Sequence, residues 1–442
     1  MDIHDLPELV LVEILCRVPC GKFIFQCKCV CKRWLTLISA PYFIDRFLRL
    51  QSHRKTPTVR TFISRNAVEL FNRVSLSEVL TPMLKRLESF DHLETEPVVV
   101  GAYNDLILCC DSLFNQHNYI YDKKERKKKH NYYICNPYTM QWVALPPTPT
   151  RCYDIVRVGF ICDSPYYEED DPDGHVIQLN AKFRCKVVRI LPPDGQFLFN
   201  HDEYCFNFNV EIFSFEIGKW SELVVSSPRG ISYNYLDAMA FSYNGVLYWP
   251  GHDDGYFLVL GLDPFNDNSS TSTSSGSSNG GDIIDHKCRF VVFAMPVDDY
   301  FVVECVGVCG GLLRMCDFDT DTKTLFVWDL KRQDHDYMVK GAGELCLSKH
   351  NVYSFDQDMY PDDAQVVERL YFDPNNDDIF YLYVDEDVIM CNIRTRKWSK
   401  IVEKRKLNNF YFFPFVLPWW PTPVPSLPQH AHELAHGGET SS

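Results

Sequence analysis

The chain has 442 residues, 46% of them hydrophobic and 23% charged, which is enough for two or three globular domains with ample core. A net charge of −15 argues against a general nucleic-acid or anionic-membrane binder, and no apolar run approaches the ~18 residues of a membrane span. Acidic residues stand where a secretory leader would be basic, and most of the 18 cysteines sit in apolar runs such as LILCC and VGVCGG; both features predict a soluble, reduced protein of the cytoplasm, the nucleus or both.

Residues 1–50 hold seven basic and five acidic residues, a net of +2 that leaves −17 for the rest. This step in charge coincides with a change of pattern and marks a boundary near residue 50. Asp5 and Glu8 have the spacing of an N-cap and its partner, and Pro7 suits a first turn. Leu11, Ile14, Leu15 and Val18 then recur at helical spacing until Pro19-Cys20-Gly21. A short helix over about 22–28 follows. A second stripe, Val30, Trp34, Leu37 and Ile38, ends at Pro41, and Phe43, Phe47 and Leu50 indicate a last helical piece. So small a unit rarely fills its own core, and apolar residues on more than one helix face predict either packing on the next domain or a docking surface.

Residues 6–47 resemble the F-box motif. The resemblance rests on Leu6-Pro7, Ile14-Leu15, Val18-Pro19, Val30-Cys31, Arg33-Trp34, Leu37-Ile38 and Pro41 with Phe43, in that order and spacing. It implies an F-box over residues 2–48 that binds the Skp adaptor and, through it, the cullin and RING subunits of an SCF-type ubiquitin ligase. Leu6, Pro7, Ile14, Leu15, Val18, Val30, Trp34 and Leu37 are then the adaptor-binding residues or their immediate support.

From about residue 57 the chain reads as short runs rich in Val, Ile, Phe and Tyr, punctuated by Gly, Pro, Asn and Asp, the pattern of an all-β sandwich, barrel or propeller. A repeat separates these. ICNPYTMQWVALP, VEIFSFEIGKWSELV, TLFVWDLKRQD and VIMCNIRTRKWSKIV share an apolar strand, a polar turn and a strand with Trp142, Trp220, Trp328 or Trp398. SYNGVLYWPG (242–251) and GVCGGLLRMC (307–316) share a Gly-containing turn before an apolar strand, and YNDLILCC (103–110) has Asp105 where Gly is common. Irregular repeats of short strands predict a β-propeller of open blade number. The same segments resemble the F-box-associated, kelch-like domains of plant F-box proteins. The fold expected is α + β multidomain: N-terminal all-α F-box helices, then a mainly-β propeller-like domain over 57–420. A flexible insertion is expected at 267–282 and a disordered Pro-rich tail at 421–442.

Sharper motifs carry little. His432-Glu433-Leu434-Ala435-His436 matches a zincin pattern but follows a proline-rich stretch and lacks a third ligand. Cys27, Cys29 and Cys31 lack metal-knuckle spacing, and Trp328-Asp329 has no Gly-His within a repeat length. KKERKKKH (123–130) and the acidic YYEEDDPDGH (166–175) read as solvated loops. No phosphate-binding Gly loop or nucleophile elbow appears, so no catalytic residue, metal site or cofactor is expected. The resemblance implies a non-catalytic receptor that presents an unidentified target protein for ubiquitylation, with no nucleic-acid or membrane partner. The alternatives are an adaptor-bound scaffold or inhibitor and, further off, a propeller-based enzyme, for which His is too sparse among the strands.

Overall fold

A computed structural model of the chain describes residues 6–18, 21–52, 59–64, 77–90, 97–111, 131–150, 156–163, 166–171, 174–180, 183–193, 204–237, 240–253, 256–265, 290–296, 302–309, 311–319, 322, 324–333, 344–354, 367–373, 376–384, 387–402, 412–417 and 420–428. Four short helices come first: α1 (Glu8–Cys16), α2 (Gly21–Cys27), α3 (Lys32–Ser39) and α4 (Pro41–Ser52). The last begins on the proline that stops its predecessor, since a missing N–H costs nothing in a first turn, and it runs four residues past the expected boundary at 48.

Beyond them the described residues form five four-stranded antiparallel sheets. The first contains β2 (Val98–Tyr103), β3 (Leu106–Cys110), β4 (Tyr132–Asn136) and β5 (Gln141–Ala144). The second contains β6 (Arg157–Cys162), β9 (Cys185–Ile190), β10 (Tyr204–Ser214) and β11 (Lys219–Ser232); the hairpin β7 (Tyr166–Asp171) and β8 (Gly174–Leu179) is inserted after β6. The third runs β12 (Phe241–Tyr243), β13 (Val246–Asp253), β14 (Tyr256–Leu262) and β15 (Phe290–Pro296). The fourth runs β16 (Val302–Cys309), β17 (Leu312–Asp319), β18 (Thr324–Gln333) and β19 (Glu344–Ser354). The fifth runs β20 (Val367–Phe372), β21 (Ile379–Val384), β22 (Asp387–Asn392) and β23 (Lys397–Val402). Finally β1 (Val59–Ser64) pairs antiparallel with β24 (Phe412–Leu417), which lies beside β2.

First strands of neighbouring sheets lie side by side, β2 with β6, β6 with β12 and β16 with β20. The apolar cores lie between sheets, joining the first to the second, the second to the third, the third to the fourth and the fourth to the fifth. Each sheet thus buries at least one face on a neighbour, which is the blade packing of a β-propeller. Gly159 in β6 shows how close the blades come: a Cβ there would meet Leu247 Cδ1 at 2.7 Å and Trp249 Cζ2 at 2.9 Å.

The expected tryptophan repeat holds for three of its four members. Trp142, Trp220 and Trp398 lie on β5, β11 and β23, the last strands of their blades, whereas Trp328 lies on β18, a third strand. The residue two before each of the three is left-handed: Met140 (φ 56°), Gly218 (φ 72°) and Arg396 (φ 55°).

Three expectations need correction. Residues within the strand-rich region form α5 (Ser77–Phe90), whose Met83, Leu84 and Leu87 are buried in the first blade's core. The acidic stretch read as a loop is the hairpin β7–β8, in which Glu168 faces Ile177 and Glu169 faces Val176 across the ladder; Pro-Asp-Gly turn chemistry between two runs favours that return. The expected disordered tail does not hold for residues 421–428. Pro421, Thr422 and Leu427 are buried, and Leu427 joins the first blade's core. Prolines there replace no ladder bonds, because the segment is not a strand. The insertion at 267–282, the basic run at 123–130 and the HELAH stretch lie outside the described residues.

Candidate docking surface on the N-terminal helices

Helix α1 starts at Glu8, where the Pro7 carbonyl accepts hydrogen bonds from the Val10 and Leu11 N–H groups at 3.0 and 3.1 Å. Pro7 therefore takes the cap position itself; the expected cap, Asp5, lies outside the described residues. Leu11, Val12 and Leu15 of α1 meet Ile24, Trp34, Leu37, Ile38, Phe43, Phe47 and Leu48 in one core. Polar contacts fasten its rim. The buried Gln51 amide donates to the Cys16 and Val18 carbonyls at 3.2 and 2.9 Å, satisfying groups that the end of α1 leaves open. Arg33 donates to the Leu6 carbonyl at 2.6 Å, the Tyr42 hydroxyl to Glu8 Oε1 at 2.8 Å, and Arg46 to Glu13 Oε1 at 2.9 Å.

With that core filled, apolar side chains remain outside it. Of the twelve large hydrophobic residues exposed among the described residues, seven are here: Leu9, Val10, Ile14, Phe23, Val30, Leu35 and Tyr42. Leu9 is 78% exposed, Phe23 and Val30 56% each, and Ile14 44%. Single exposed leucines are ordinary, but more than half of the total on about a fifth of the residues whose burial is described is a concentration that marks interaction surfaces.

The eight residues assigned from sequence divide between two roles. Ile14, Val30 and Pro7 are exposed, and Leu6 and Val18 are half-buried. Leu15, Trp34 and Leu37 are buried, at 3%, 8% and 3%, and hold the helices together from inside. Leu9, Val10, Phe23 and Leu35 were outside the assignment although the structure exposes them. In α1 the pairs Val10–Ile14 and Leu11–Leu15 both have i, i+4 spacing, one facing out and the other in; the apolar stripe is too broad for periodicity to choose between them.

Two cysteines of this unit, Cys16 and Cys27, are held protonated by burial. Burial pushes the Cys16 thiol up to about 12, with the Glu13 carboxylate adding to the effect, and burial also raises Cys27. Thiols held protonated are poor nucleophiles and poor ligands. Among the described residues no cluster of three His, Cys, Asp or Glu side chains is placed to hold a metal ion. Nor does a disulfide join any of the cysteines whose side chains are described.

Comparison with known proteins follows the same division of the chain. Residues 3–46 match the profile of the F-box domain, and residues 119–413 match that of the β-propeller of F-box protein At3g26010-like chains. Among curated proteins of Arabidopsis thaliana, F-box protein At5g49610 is 26% identical over 328 residues, covering 72% of this chain and 76% of the relative. Putative F-box protein At3g52320 is 29% identical over 143 residues, or 32% and 33% of the two chains. F-box protein At5g07610 is 30% identical over 149 residues, or 33% and 31%. The matched family is described as a β-propeller, and the kelch-like label on the repeats stays an expectation from sequence.

Proposed function

The chain belongs to the plant F-box proteins that carry an At3g26010-like β-propeller, and from that premise we propose that it is the substrate-recognition subunit of an SCF-type ubiquitin ligase. The F-box helices dock on a Skp-type adaptor, which connects to the cullin and RING subunits, and the propeller holds a target protein. The observation that carries this reading is the set of apolar side chains left in water on helices whose own core is filled. Ile14, Val30, Leu9, Val10, Phe23 and Leu35 are the contact residues in this reading, and Leu15, Trp34 and Leu37 support them from beneath. The protein supplies proximity and needs no acid, base or nucleophile: holding target and conjugating enzyme on one scaffold raises the effective concentration of target lysines. Loops on the rigid blades are the natural carriers of target specificity. A cytoplasmic or nuclear site of action fits this role.

The test is co-purification of the full chain with a Skp-type adaptor. Ile14→Asp and Val30→Asp place a charge where the adaptor would exclude water, and binding should weaken at least about a hundredfold while the circular dichroism spectrum stays unchanged. Leu15→Asp is the contrasting variant: it buries the charge inside the helix core and should unfold these helices. Failure of the wild-type chain to bind any Skp-type adaptor overturns the reading. Binding without target loss in cells would leave an adaptor-bound scaffold.

A further inference from the structure

Trp420 lies about 370 residues from the F-box helices in sequence, yet only 3% of it is exposed and it is part of their core. Its indole meets Phe25 edge-on at 6.2 Å, Phe43 at 6.3 Å and Phe47 edge-on at 5.7 Å between ring centroids. Lys28 Nζ stands 4.2 Å from the Phe25 centroid and 5.3 Å from that of Trp420, the arrangement of a cation–π contact.

Two residues on, the chain is held by the first blade. The Thr422 N–H donates to Asp105 Oδ2 at 2.8 Å, and Asn136 Nδ2 donates both to the Thr422 carbonyl at 2.7 Å and to Asp105 Oδ2 at 2.8 Å. Asp105 and Asn136 are fully buried, and Thr422 nearly so. Farther along, Leu427 is buried in the core of the first two blades and Val424 packs against it. Two residues span at most about 7 Å, so the ring seated in the F-box and the amide held by the propeller leave no slack between them.

We propose that residues 420–428 are an intramolecular strap that locks the F-box to the propeller as one body, with Trp420 as its pin. The locking itself does not depend on the ligase reading. Its use, fixing the direction in which a bound target faces the conjugating enzyme, rests on that reading. The two parts also meet where α4 lies against β8, and the proposal is that this contact alone does not suffice.

The experiment uses the full chain without adaptor, so its outcome is separate from that of the binding test. In Trp420→Ala, amide hydrogen exchange in α1, α3 and α4 should speed up at least about tenfold, while β9 and β13 keep wild-type protection. A second variant guards against simple misfolding: a short Gly/Ser segment inserted after Pro421 keeps every native side chain. Labels at positions 39 and 219, both exposed, should show one narrow distance in the wild type and a broadened distribution in the insertion variant. Unchanged exchange in Trp420→Ala, or an unchanged distance distribution on insertion, would assign the coupling to the α4–β8 contact and overturn the proposal.

Discussion

Asp105 shows what a single side chain does at a crowded turn. At the sequence level it looks like a departure from the Gly found in related turns. In the structure Asn104 takes the left-handed conformation (φ 52°), and the Asp105 carboxylate is buried where Asn136 and the Thr422 amide reach it. Burial pushes its pKa up to about 7, against those hydrogen bonds, which pull it down. In the unfolded chain an aspartate loses its proton near 4; here the folded state keeps it until about 7. Between these values the folded state binds the extra proton, so stability is greatest below about pH 4 and falls as pH rises to about 7, by up to about 1.4 kcal/mol per pH unit. Urea denaturation from about pH 5 to about pH 8 should show this slope, and Asp105→Asn, which keeps an acceptor and removes the titration, should flatten it. An equal slope in the variant would move its origin to other groups. At the same scale, the candidate docking residues are only half legible. Helical spacing identified Ile14 and Leu15 together, but a stripe apolar on both edges does not say which of them faces water.

At the scale of elements, what repeats is a turn rather than a whole blade. Cys135-Asn136-Pro137-Tyr138-Thr139 and Cys391-Asn392-Ile393-Arg394-Thr395 place an Asn whose Oδ1 accepts from the Thr N–H three residues on, at 3.3 and 2.9 Å. One residue after each Thr comes a left-handed residue, Met140 or Arg396, and two residues later the Trp. At the equivalent place in the second blade the residue is Gly218, which reaches that conformation without a Cβ penalty. Arg396 is exposed, so Arg396→Gly should raise stability by about 0.5 kcal/mol, the relief of left-handed strain less the added freedom of the unfolded chain. A rise in the urea midpoint at constant m-value checks this; a fall would mean that the arginine side chain contributes more than its strain costs. The turns were legible because their chemistry is local. Helix α5 was not, since Pro82 interrupts its middle and its neighbours are all strands. Trp328 misled for a related reason: an aromatic in a β run looks alike on a third strand and a fourth.

For the whole molecule, the order of parts could be read from the sequence because charge, periodicity and turn spacing all change near residue 50. The closure could not. The β1–β24 ladder joins residues 59–64 to residues 412–417, and the strap joins Trp420 to helices that end at Ser52. Such pairings leave no periodic trace, and the prolines of WWPTPVPSLP argue locally for an unfolded tail.

Trp420 also has a consequence in time. A ribosome completes the four helices roughly 370 residues before it reaches the residue that finishes their core, an interval of about 20 to 75 s at ordinary elongation rates. Throughout it, the aromatic faces of Phe25, Phe43 and Phe47 lack the Trp420 indole that meets them in the finished fold. Nascent chains stalled at residue 411 should therefore lose residues 8–52 to protease faster than chains extended past 428 and clear of the exit tunnel; equal survival would show that the helices close without the indole. Synthesis thus hands the cell an F-box that is left unfinished until the propeller behind it has been made.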